Sequence, residues 1–364
     1  MDWVNKRTDR REALKRLAGM AAMSLGSSMA LGADAVPSRG KRMGVVAHSY
    51  HLRRSSRNSS LKYPPFKDAI ELLEHCHSLG AGGAQVGVDG WQAAFGKRVR
   101  NRREQLGMFL EGQIRLPKSE SDLSAFESDM SAAREAGATV LRVAVGGRRY
   151  EQFDNVEDFK AMKKQAWESF RLAEPIAAKH RMKLGVENHK DWRIPEMLEF
   201  MEGLSSEWFG TCIDTGNSIA LLESPMETVE AFAKYVVATH IKDMTVKEYE
   251  EGFLLSEVPI GQGFLDMGRI FDVCEKANPK IQFCLEMITR DPLRVPCLTD
   301  AYWETFESMK PRRLARALAM ARDEQTDRPL PRIAGRGDED RLSYEDRNVR
   351  ECIRYVESHL GLKG

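Results

Sequence analysis

The sequence predicts an α/β fold, a (β/α)8 TIM barrel with a C-terminal helical extension. Three observations lead there. Short apolar runs alternate with longer stretches of helical period, the pattern of a parallel sheet with crossover helices. The helical stretches carry recognisable stops: Gly80, Gly137 and the pair Asn278-Pro279. Residues 43–322 hold eight such units, close to the about 250 residues a barrel of this kind takes before insertions. An open doubly wound sheet is the rival arrangement of the same elements.

In order along the chain, strands are predicted at 43–48, 84–88, 108–114, 139–145, 182–188, 209–214, 236–242 and 281–287. Helices are predicted at 66–79, 121–136, 156–179, 194–202, 226–235 and 267–276, and the arginine-dense stretch 91–105 is read as one more. Two segments exceed a minimal loop: 245–263 after the seventh strand, and 289–309 after the eighth, which carries Tyr302, Trp303 and Phe306. Both follow the carboxyl ends of strands, where barrels build their sites. A helix at 311–322 ends the barrel segment. The remainder, 323–364, reads as a Pro/Gly/charge-rich connector and a helix at 342–359, expected to pack on the barrel because so short a piece makes a poor separate domain.

With 55 Lys+Arg against 54 Asp+Glu the formal charge of the 364-residue chain is +1, which argues against a dedicated nucleic-acid binder. Residues 1–35 have the order of an export signal: a charged stretch with Arg10-Arg11, an apolar small-residue run at 17–30, and Ala33-Asp34-Ala35. Asp9-Arg10-Arg11-Glu12-Ala13-Leu14-Lys15 resembles a twin-arginine signal, although the commonest form has Phe before Leu. The expectation is an exported, periplasmic or extracytoplasmic bacterial protein handled by the twin-arginine machinery. The apolar run is shorter than the about 20 residues of a spanning helix and is broken by Gly19, Ser24, Gly26, Ser27 and Ser28, so cleavage without stable membrane insertion is expected. Its loss would leave a charge near −1. The six cysteines lie far apart, with no C-x-x-C pair, and read as buried thiols.

The last four predicted strands each end in one ionisable side chain: Gly185-Val186-Glu187-Asn188-His189, Ile213-Asp214-Thr215-Gly216-Asn217, Thr239-His240-Ile241-Lys242-Asp243 and Phe283-Cys284-Leu285-Glu286-Met287. In a barrel these neighbouring ends converge on one mouth. Three carboxylates and an imidazole suit Mn²⁺, Mg²⁺, Co²⁺ or Zn²⁺, and the lack of thiolate argues against a structural zinc. Crowded carboxylates repel, and a divalent cation gives them a reason to stay ionised.

These motifs, with Pro259-Ile260-Gly261-Gln262-Gly263 between the last two strands, resemble the xylose-isomerase-like superfamily of sugar isomerases and epimerases over 43–322. The resemblance implies one divalent ion, Mn²⁺ foremost, on Glu187, Asp214, His240 and Glu286. It implies Glu187 and Glu286 as an acid/base pair that moves a proton beside a sugar carbonyl. The sixth-strand motif often has a histidine where this chain has Asn217, which can bind a hydroxyl but cannot exchange protons near neutrality. Asn217, together with Glu111 where the third strand would need a histidine, argues against the multi-zinc endonuclease branch.

A dehydratase or lyase acting on a keto-sugar or keto-glycoside would start from the same enolate, with Lys242, His189 or Glu111 as the further acid. His48, Tyr50, Trp91 and Trp303 are candidate substrate contacts, since aromatic faces pack on sugar C–H groups. Gly146-Gly147-Arg148-Arg149 reads as a turn rather than a phosphate site. A secreted sugar-binding barrel without catalysis would show a broken ligand set, whereas all four ligands are present. The carbohydrate itself is not identified by the residues, and a homo-oligomer is compatible with them.

Overall fold

In the computed structural model, residues 36–308 and 310–363 are described; the expected export signal, 1–35, lies outside them. Seven parallel strands come first: β1 (Gly44–Val46), β2 (Gly83–Gly87), β3 (Phe109–Gln113), β4 (Val140–Val143), β5 (Lys183–Glu187), β6 (Phe209–Asp214) and β7 (Val236–Ile241). The chain then turns into an antiparallel hairpin, β8 (Asp243–Tyr249) and β9 (Gly252–Val258), before the eighth barrel strand, β10 (Cys284–Leu285), and a last strand, β11 (Leu293–Val295). The barrel closes in the order β1-β10-β7-β6-β5-β4-β3-β2. A closed parallel sheet buried on both faces needs near-continuous apolar runs, and β6 and β7 are buried at every position.

The first and eighth strands are shorter than their apolar runs suggest. After Val46 the backbone tightens into a 3-10 turn, Ala47–Tyr50. Ser49 Oγ there donates to Leu285 O at 2.9 Å and accepts the Met287 N–H at 3.1 Å. One hydroxyl thus takes up the backbone groups that a longer ladder would have paired, and the turn tips His48 to the mouth.

Helices follow the strands as crossovers, with ends set by local chemistry. Asp68 accepts the N–H groups of Ile70 and Glu71 to start Ala69–Ser78, Asn155 caps Val156–His180, and Ser224 precedes Pro225 at the start of Pro225–Phe232. Helix Ala93–Gln105 forms across the arginine-dense stretch.

The segment 245–263 is chiefly the β8–β9 hairpin, paired from Asp243↔Val258 to Tyr249↔Gly252, with β11 added to β9. Val246, Phe253 and Leu255 of this sheet pack with Ile219 to Leu222, Tyr302 and Ala321 into a second apolar cluster, and Leu314 and Leu318 of helix Pro311–Asp323 lie against it. Because β8 starts two residues after β7, this small sheet rises from the carboxyl-terminal mouth of the barrel.

Helix Asp338–His359 places Val349, Cys352, Ile353 and Val356 in the same cluster as the barrel core. Each buried aliphatic side chain of this kind is worth about 2 kcal/mol. Asp346 lies 3.3 Å from His75 on helix Ala69–Ser78, Cys352 Sγ accepts the Ile260 N–H at 3.3 Å, and Glu345 accepts the Leu52 and Arg53 N–H groups at 2.7 and 2.9 Å. The helix therefore packs between the first barrel helix and the chain leading into helix Met267–Ala277. All six cysteines are buried and free, and no helix among the described residues is long and apolar enough to cross a membrane.

Candidate metal centre and active site

Glu187 is the last residue of β5, Asp214 the last of β6, His240 the fifth of β7, and Glu286 follows β10 directly. Register aligns them: Asp214 is opposite His240, and His240 opposite Cys284. All four are buried, and one ligand atom from each lies within 4.8 Å of the others.

The imidazole is oriented from beneath. His240 Nε2 lies 2.7 Å from Gln85 Oε1, which also accepts from Gln113 Nε2 at 2.9 Å, while Gln85 Nε2 donates to Glu111 Oε2 at 2.9 Å. With Gln85 presenting its oxygen, Nε2 carries the proton and Nδ1 presents a lone pair. Nδ1 is buried without a hydrogen bond, 3.5 Å from Glu187 Oε1 and 3.4 Å from Glu286 Oε1. Asp214 shows the same division. Its Oδ1 accepts the N–H groups of Gly216 and Asn217, whereas Oδ2 is buried without an aligned hydrogen bond although Lys242 Nζ is 2.8 Å away.

A lone pair facing two carboxylate oxygens is repulsive unless a positive charge sits between them. Burial lowers the His240 pKa, but Cys212, Glu286 and Glu187 outweigh it and hold it well above the ordinary value, so without a metal the ring takes a second proton on Nδ1, the atom whose lone pair a metal would use instead. The pole between these groups favours a cation, and Asp214 Oδ2 and His240 Nδ1 are oxygen and nitrogen donors of the kind a divalent metal takes. The residues fit such an ion.

The outer oxygens of the glutamates are held by cations. Arg142 of β4 donates through Nε and Nη2 to Glu187 Oε2, and Lys242 Nζ lies 2.6 Å from Glu286 Oε2. Burial pushes both carboxyls up, and these cations with His240 overcome it, so both stand well below the usual carboxylate range. Asn217 Nδ2 donates to Glu187 Oε1 at 3.2 Å and its Oδ1 accepts from Lys190. Lys242 also lies 3.9 Å from Glu257, which Arg290 grips through Nε at 3.0 Å.

Among the other candidates, Asn217 and Lys242 meet the ligand set directly. Glu111 lies under it, against Gln85 and 3.6 Å from Cys284 Sγ, with its carboxyl pushed up to about 7 by burial. His189 sits on the loop after β5, its Nδ1 buried without a partner and its pKa pushed down to about 4 by burial. His48 is exposed at the mouth, where the Glu286 charge reaches it.

Tyr50 is not a lining residue: it is fully buried, with His75 Nε2 2.8 Å and Asp346 Oδ1 3.3 Å from its hydroxyl, and ties the last helix to the barrel. Trp91 stands edge-on to Phe95 beside a cleft of about 300 Å³. Trp303 donates its indole N–H to Cys297 O at 3.0 Å and packs with Tyr302 and Phe306 against the second cluster. Gly146 donates its N–H to Asp191 Oδ2 at 2.8 Å, and Arg149 starts the short helix Arg149–Gln152, buried against Glu196.

Sequence reasoning passed over Gln85, Arg142, Lys190 and Glu257. Gln85 and Arg142 are polar residues inside runs read simply as strands, and that interruption was the available signal. Arg142 and Gln113 also line a cleft of about 550 Å³ that opens beside Glu187.

Comparison with known proteins bears on the same region. The profile of a family described as Xylose isomerase-like TIM barrel matches residues 112–318. A 3-oxo-isoapionate decarboxylase from Pectobacterium atrosepticum is 26% identical over 230 residues, covering 62% of this chain and 77% of that protein. A D-psicose 3-epimerase solved in the presence of D-fructose superposes with a TM-score of 0.55 at 13% identity, covering 88% of this chain and 99% of that one. A xylose isomerase-like TIM barrel protein from Mycobacterium smegmatis in complex with magnesium gives a TM-score of 0.50 at 15% identity, covering 78% and 100%. At these identities the structural likeness speaks for the fold.

Proposed function

The chain belongs to the xylose isomerase-like TIM barrel family, and on that premise we propose that it is a divalent-metal-dependent isomerase or epimerase that moves a proton beside the carbonyl of a carbohydrate. The observation that carries this reading is the convergence of one ligand atom each from Glu187, Asp214, His240 and Glu286 within 4.8 Å, with His240 Nδ1 buried without a hydrogen bond between the two glutamates. Glu187, Asp214, His240 and Glu286 would hold the ion. Bound there, it would stabilise the negative charge that develops on the carbonyl oxygen when the neighbouring proton leaves.

The protein's own groups then divide the work. Glu187 and Glu286 come from β5 and from the end of β10, flanking His240 from two sides, so one can take the substrate proton, and return comes either from that same glutamate, now protonated, or from the other after it has taken a proton from solvent. Arg142 and Lys242 keep both ionised at neutral pH, so each begins as a base. Asn217 offers an amide for a substrate hydroxyl. The leader at 1–35 belongs to the same proposal, with the reaction taking place outside the cytoplasm.

The 26%-identical decarboxylase supports a second reading, a lyase in which the same enolate forms by loss of carbon dioxide. Incubation with Mn²⁺ and a panel of ketoses and oxo acids in D₂O separates the two. Deuterium entering beside the carbonyl of an intact sugar supports proton transfer, and release of carbon dioxide supports the lyase. Binding of less than about 0.2 equivalents of Mn²⁺ by protein purified without chelator would sink both.

A further inference from the structure

The buried cations around the ligand set are matched with carboxylates, with one exception. Arg142 is paired with Glu187, Lys242 with Glu286 and Asp214, and Arg290 with Glu257. Lys190, buried on the loop after β5, has no carboxylate within ion-pair distance among the described residues; its ammonium donates to the amide oxygen of Asn217. An ammonium taken out of water without a counter-ion is strongly unfavourable. Burial, with Lys242 and Arg290 nearby, brings its pKa down to about 8 against the pull of Glu257 and Asp214.

Two further observations place this cation at a ligand site. Asn217 hands its other amide group to Glu187 Oε1, so Lys190 stands one side chain away from the metal pole. The loops that carry Lys190 and Asn217 also hold His189 Nδ1, Trp192 Nε1 and Ser218 Oγ, all buried without a hydrogen-bond partner. Unspent polar groups on the loops that carry a buried cation are what an incoming anionic ligand would satisfy.

We propose that Lys190 receives the carboxylate of the substrate, and that the site therefore takes an oxo-sugar acid in preference to a neutral ketose. One unmatched ammonium corresponds to one negative charge, which suits a carboxylate better than a phosphate dianion. The proposal rests on the metal-dependent carbohydrate reading above and narrows its substrate class.

Matched pairs that differ only by carboxylate for hydroxymethyl test it: D-fructuronate against D-fructose, and 5-oxo-D-gluconate against L-sorbose, titrated calorimetrically into the full chain with and without Mn²⁺. The acid of each pair is expected to bind at least about tenfold tighter. In Lys190→Gln the two members of each pair should fall within about threefold of each other, and Lys190→Arg should restore the preference. Bound Mn²⁺ with no preference for the acids, or a preference that survives Lys190→Gln, overturns the assignment and leaves the metal reading standing. A Lys190-dependent preference without Mn²⁺ binding overturns the metal reading and upholds Lys190.

Discussion

His240 Nε2 meets Gln85 Oε1 at 2.7 Å, and this contact between β7 and β2 decides which imidazole nitrogen faces the carboxylates. Gln85 is itself fixed by Glu111 and Gln113, so the ring can neither flip nor exchange its tautomer without breaking three hydrogen bonds. Support of this kind behind a metal-binding histidine is worth about 10–100-fold in affinity. Gln85→Leu is therefore expected to weaken Mn²⁺ binding by that factor at unchanged stoichiometry, measured by calorimetry. Unchanged affinity would mean that His240 is not a ligand.

Glu286 carries the proton-transfer prediction. Glu286→Gln keeps the shape of the side chain but removes its charge and its basicity, so solvent deuterium incorporation into a substrate should fall by at least about 100-fold. A near-ultraviolet circular dichroism spectrum like that of the unaltered protein would show that the fold is retained. Exchange at the original rate would remove Glu286 from the acid/base pair.

The four residues that converge at the mouth, Glu187, Asp214, His240 and Glu286, were legible in the sequence as a group because each ends an apolar run, and the strand alternation placed those ends together. The cations that hold them were not. Arg142 stands inside a run read as an ordinary strand, and Gln85 likewise; which side of a barrel strand faces inward emerges only when the sheet closes. The lengths of β1 and β10 were overestimated because Ser49 pairs backbone groups that apolar periodicity assigns to a ladder. The β8–β9 hairpin went unread because it directly continues β7, so that a single excursion seemed a loop. Trp303 is half-buried and packs with Tyr302 and Phe306 against the second cluster, a contact that composition alone does not show.

The Pro259-Ile260-Gly261-Gln262-Gly263 motif has a structural account. The Asp243 carboxylate, at the root of the hairpin, accepts the N–H groups of Gly261 and Gly263 at 2.9 Å and that of Leu265 at 3.2 Å. A Cβ on Gly263 would collide with Asp243 Oδ1 and with Met244 O, and Asp243 cannot retreat without giving up those bonds. Gly263→Ala should cost about 3 kcal/mol in urea unfolding. A loss below about 0.5 kcal/mol would show that this loop yields easily.

Asp346 makes the attachment of the last helix pH-dependent. Burial alone would raise its carboxyl, but hydrogen bonds from His75 and Arg350 outweigh it and bring it down to about 2. A carboxyl lowered on folding stabilises the protein above its unfolded value, about 3.9, and that contribution fades as pH falls toward 2. Allowing for solvent screening it amounts to about 1–2 kcal/mol. Asp346→Asn should therefore be less stable by that amount at pH 6, with the gap to the unaltered protein narrowing below about pH 4. An equal gap at pH 6 and pH 3 would mean that the charge of Asp346 contributes nothing.

Lys242 occupies a position that a metal ion would contest. Its ammonium lies 2.6 Å from Glu286 Oε2 and 2.8 Å from Asp214 Oδ2, two members of the ligand set, and it is almost wholly buried. In metal-free protein it neutralises carboxylates that would otherwise repel one another. A divalent ion would share those carboxylates with a neighbouring like charge, which weakens its hold. Removing the ammonium should therefore shift stability from the metal-free to the metal-bound protein. Lys242→Met is expected to destabilise the metal-free form by about 3–5 kcal/mol, the usual cost of stripping one partner from a buried ion pair. The same variant should bind Mn²⁺ at least about tenfold more tightly and gain more thermal stability from it than the unaltered protein does. Weaker Mn²⁺ binding in Lys242→Met would assign the lysine the opposite part, a support that orients Asp214 and Glu286 for the ion.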